Sequence, residues 1–112
     1  MDVLMRGDKV GYWSPTPGLS TMTVEWFHDR DVAAVATDTP VFEVYPGEDG
    51  AGMLPVHVLH LVEMGMTQGQ NFVLDELAED CAADGVYEFL LEASPEPFTN
   101  AVGSPVNPVA VK

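Results

Sequence analysis

Apolar and polar positions change period several times along the chain, and the changes divide it into elements. Leu19, Met22 and Trp26 share a face at helical spacing, with Glu25, Asp29 and Arg30 on the other side. A helix is therefore expected there, with Ser20 as the N-cap and with Trp26 and Phe27 in the core. Residues 32–36, Val-Ala-Ala-Val-Ala, are apolar at every position, which is the pattern of a buried central strand. Asp38 stands at its end, where α/β strands deliver functional residues and where turn-forming Asp is also common. Residues 41–45 alternate and read as a second strand or an extended edge, followed by a flexible acidic loop over 46–52. Pro55 suits the first turn of a helix reaching about Gly65.

The clearest helix spans 74–84. Leu74, Leu77, Ala78 and Cys81 form its inner stripe, acids form its outer face, and Gly85 stops it. Residues 87–91 are strand-like, and 109–111 read as a short terminal strand. Near the start, two prolines and two glycines within residues 11–18 favour an ordered loop. Helices and strands alternate, so the fold class is α/β (α+β), organised as a single domain over residues 1–112.

Composition narrows the partners. Four basic residues stand against eighteen acidic ones, for a formal net charge of −14 in 112 residues. Phosphate backbones and anionic membrane surfaces would repel such a chain, which excludes nucleic acid and membrane as partners. No apolar run approaches the roughly 20 residues needed to cross a bilayer. No basic leader opens the sequence, and Cys81 has no second cysteine to pair with. A cytoplasmic setting is therefore expected.

The candidate chemistry lies between Pro55 and Phe72. His57 and His60 are three residues apart on the expected helix and hence neighbours, set into otherwise apolar sequence. His-x-x-His alone supplies too few ligands for a metal, and two satisfied core or surface histidines are the plain alternative. Beyond the helix, Gly69-Gln70-Asn71-Phe72 places a polar pair at the entry to a new element.

Taken together, several blocks resemble the C-terminal half of the cyclase family of metal-dependent hydrolases, which includes bacterial kynurenine formamidases and isatin hydrolases. The blocks are Pro17-Gly18-Leu19-Ser20, residues 32–39, Pro55-Val56-His57, Gly69-Gln70-Asn71-Phe72, residues 74–78, Gly85-Val86-Tyr87-Glu88-Phe89 and residues 103–111. The resemblance implies part of a swivelling β/β/α domain, an amide or lactam as small-molecule substrate, a Mn²⁺ or Zn²⁺ centre, and a homo-oligomer such as a dimer. By position in the blocks, it implies His57 as the catalytic proton handler and Gln70 as the reach to the metal. His60, Asp38, Asn71, Ser104 and Asn107 are implied as supporting or pocket residues. The family's N-terminal His-x-Gly-Thr-His block, which carries most metal ligands, does not occur in this sequence. The expectation is a C-terminal portion that binds metal poorly and hydrolyses little by itself. A non-catalytic acidic dimerisation module is the competing reading.

Overall fold

The structure is a computed structural model that describes residues 5–13, 15–47 and 54–112. Of the expected acidic loop, residues 48–52 lie outside these. The chain forms two compact units, residues 1–73 and 74–112. Both mix short helices with a two-stranded sheet, so the class is α+β.

In the first unit, the turn-rich start is not all loop: α1 occupies Lys9–Trp13. Asp8 explains why, because its carboxylate accepts the Gly11 N–H at 2.9 Å and satisfies a free donor of the first turn. The second helix, α2, covers Thr23–His28 and begins later than the periodicity indicates. Ser20 still binds backbone, accepting the Met22 N–H at 3.1 Å, but it caps a preceding turn rather than the helix itself. The expected inner face is also rotated. Met22 and Trp26 are exposed, with the Arg30 guanidinium 4.1 Å above the Trp26 ring, and of the two aromatic residues expected in the core only Phe27 is partly covered. Amphipathic spacing over so short a helix does not fix which side meets the core.

Strand β1 is Ala34–Ala36, shorter than the apolar run and only partly covered. It pairs in parallel with β2, Thr67–Gly69, in the register Ala34↔Thr67, Val35↔Gln68 and Ala36↔Gly69. The polar sequence of β2 gives no strand signal; its neighbour recruits it. Between them the chain forms α3, Pro55–His57, which continues as a π-helix over Val58–Met64. Residues 41–45 do not form a strand. Two isolated bridges, Thr16↔Tyr45 and Leu19↔Glu43, clamp this segment to the loop before α2. It contributes Val41, Phe42 and Glu43 to the unit's core, where Thr16, Val56, His60 and Met66 are also buried.

The second unit begins with α4, Asp75–Asp84, as its stripe predicts, and Cys81 is buried. Strands β3, Leu90–Glu92, and β4, Val109–Val111, pair antiparallel. Residues 85–89 are not regular strand, so β3 starts three residues later than the apolar run. Lys112 reaches Asp80 at 2.8 Å and Asp84 at 2.9 Å, and these two carboxylates raise its pKa. Among the described residues no helix is long and apolar enough to cross a membrane.

Gly85 closes α4 at φ 72°, with open space where a side chain would sit. The conformation itself is the constraint, since an L side chain there costs roughly 1–2 kcal/mol. Gly85→Ala is expected to lower stability by about 1 kcal/mol, read as a lower urea midpoint at unchanged slope.

Candidate functional site

The site forms where the first turn of α3 meets the end of the β1–β2 pair. The N-cap residue of α3, Leu54, makes no side-chain cap, and Pro55 has no N–H to satisfy. The free donors of that turn are taken by Glu43, from a distant part of the chain. One carboxylate oxygen accepts the Val56 N–H at 3.1 Å; the other accepts the His57 N–H at 2.9 Å and faces His57 Nδ1 at 2.6 Å. Glu43 is almost completely buried and His57 is 17 % exposed at its side chain. A buried carboxylate costs several kcal/mol in lost hydration, so three donors and the positive end of a helix are what make the placement tenable.

On its other side, the imidazole presents Nε2 to the Gln70 amide nitrogen at 3.0 Å. Gln70 follows directly on β2, so the parallel register with β1 carries it to the sheet end. The structure therefore brings His57 and Gln70 into contact and adds Glu43. Sequence reading passed over Glu43, although a lone acid between apolar residues 41, 42 and 44 was a signal.

The other expected residues lie as follows. Asn71, at φ 59°, adjoins Gln70; its side-chain oxygen accepts the Tyr12 hydroxyl and its N–H meets Thr39 O at 3.1 Å. Asp38 is exposed in the bend after β1. Ser104 and Asn107 belong to the second unit, where Ser104 accepts the Glu96 N–H at 3.1 Å and Asn107 is exposed. His60 is fully buried, edge-on to Phe27 and Phe42 at 5.6 and 5.7 Å between ring centres. Among the described residues neither of its ring nitrogens has a hydrogen-bond partner.

Among the described residues, no three His, Cys, Asp or Glu side chains gather in a way that could hold a metal ion. The Gln70 atom that meets His57 Nε2 at 3.0 Å is the amide nitrogen, a donor and not a metal ligand; the Gln70 side-chain oxygen is the atom of the pair that fits a divalent ion. It is neutral and single, so further ligands are needed for tight binding.

Comparison with solved structures supplies the relationship. A crystal structure described as that of a novel cyclase superposes with a TM-score of 0.77 at 46 % identity, over 85 % of this chain. The chain belongs to the cyclase family. It spans 30 % of the length of that solved cyclase. Neither a comparison with models of protein families nor one with curated proteins found a match.

His60 gives the site a measurable liability. Burial, the largest influence, lowers its pKa; the Glu43 carboxylate works against this and His57 adds to it. Below about pH 6.5 the unfolded chain takes up this proton more readily than the folded one, so stability falls as the pH drops from there. His60→Phe removes two unpartnered polar atoms from the core. It is expected to raise stability by about 1 kcal/mol at neutral pH and to flatten the acid side of a stability–pH curve measured by urea unfolding.

Proposed function

We propose that the chain is the portion of a cyclase-family, metal-dependent hydrolase that supplies the proton-handling half of the site, for an amide or lactam substrate. The observation that carries this is the part-buried Glu43–His57–Gln70 chain at the end of the parallel strand pair, in a fold shared with a cyclase. His57 is the residue with a nitrogen available for proton transfer. Nε2 would accept a proton from the attacking water and return it to the departing nitrogen, the two transfers that amide hydrolysis requires. Gln70 would hold the imidazole at Nε2 through its N–H and offer its side-chain oxygen to a Mn²⁺ or Zn²⁺ ion. When bound, such an ion would supply Lewis acidity and make water easier to deprotonate. The ion's remaining ligands would come from another part of the polypeptide or from a partner, and a homodimer is part of this proposal.

A second reading, a non-catalytic acidic association module, draws on the uncovered sheet of the second unit. Leu90, Leu91, Val109 and Val111 are all exposed there, and a two-stranded ribbon is marginal in water alone.

A chimera in which this chain replaces the matched portion of the solved cyclase separates the two readings. Metal-dependent hydrolysis of an amide or lactam, lowered about 100-fold or more by His57→Ala, supports the hydrolase. A folded, metal-loaded chimera without such activity supports the module. Calorimetric titration of the chain alone should show weak Mn²⁺ binding, tightened about tenfold by Gln70→Glu, which adds a charged oxygen ligand beside His57.

A further inference from the structure

Glu43 makes two backbone contacts that any helix-capping carboxylate could make, and a third that decides the chemistry of the imidazole. A carboxylate oxygen can only accept, so at 2.6 Å from Nδ1 it requires the proton of neutral His57 to reside there. Nε2 then carries the lone pair. The Gln70 amide must turn its N–H to that lone pair, which leaves the Gln70 side-chain oxygen unengaged by His57. One buried carboxylate thus fixes the tautomer of His57 and the amide orientation of Gln70 together.

Glu43 is itself held from behind. Phe42 is fully buried at φ 68°, a left-handed conformation that is costly for an aromatic residue. The loop before α2 keeps it so: Leu19 N–H donates to Phe42 O at 3.0 Å and Val44 N–H to Leu19 O at 3.1 Å. Gly18 lies flush against the Glu43 backbone, where an added Cβ would come within 2.7 Å of Glu43 Cα and closer still to its carbonyl. Neither contact is with a flexible side-chain tip that could move aside.

We propose that Glu43 is a positioning residue that sets His57 as the Nδ1–H tautomer with the reacting lone pair on Nε2, and that Gly18 is required for its placement. This rests on His57 as the reacting group of the proposed hydrolase, but its test does not depend on activity. In the 112-residue chain at alkaline pH, ¹H–¹⁵N spectra of the imidazoles should show His57 protonated at Nδ1, with a downfield proton on that nitrogen. Glu43→Gln keeps the shape and can still accept a backbone N–H, but offers an amide donor to Nδ1. It should shift His57 to the Nε2–H form, and Gly18→Ala should abolish the downfield Nδ1 proton. His57 protonated at Nε2 in the unaltered chain would overturn the proposal, and this reading needs no variant to fold. So would a folded Glu43→Gln chain whose His57 tautomer is unchanged. An inactive chimera with the Nδ1–H tautomer intact would remove the hydrolase reading and leave the positioning role standing.

Discussion

The first unit depends on a carboxylate placed where carboxylates are rarely tolerated. Glu43 is removed from water and satisfied by Val56 N–H, His57 N–H and His57 Nδ1. In one interaction it begins a helix whose own N-cap residue makes no side-chain cap, and it fixes the direction in which His57 faces. Removing any of the three donors would leave a buried charge short of partners, and removing Glu43 would orphan all three, an asymmetry that makes such pairs expensive to break. The left-handed backbone at Phe42 fits the same scheme. Local strain persists where surrounding contacts over-determine it, and here the clamp from residues 16–19 does so.

The two histidines show how similar residues acquire different roles. They lie one turn apart, and both rings pack edge-on to Phe42. His57 has a hydrogen-bond partner on each nitrogen, whereas His60 has none among the described residues. In the proposed hydrolase the first handles the proton; burial disfavours the charged form of the second, which fills space between aromatic rings. The π-helix that carries His60 departs from regular α geometry, a departure found often near functional sites.

Much of this was legible in the sequence. The helix starting at Pro55, the long acidic-faced helix ending at Gly85 and the terminal strand follow from Pro and Gly placement and from periodicity, and all three occur. The family resemblance singled out His57 and Gln70 for separate roles, proton handler and metal ligand; the hydrogen bond between them was not foreseen. What escaped has a common physical cause. Strand β2 is polar, β1 is short, and residues 41–45 are buried without being a strand, because tertiary contacts rather than local pattern decide them. Glu43 escaped for the same reason: its partners lie 13 and 14 residues away along the chain.

Amide hydrogen exchange tests most directly whether the buried Glu43 carboxylate organises this site. First-turn amides of a helix ordinarily exchange quickly, having no acceptor within the helix. Glu43 should instead place the Val56 and His57 amides among the slowest-exchanging of the first unit, comparable with those pairing β1 and β2. Exchange of these two amides at the rate of an uncapped helix start, while the β1–β2 amides stay protected, would contradict the account.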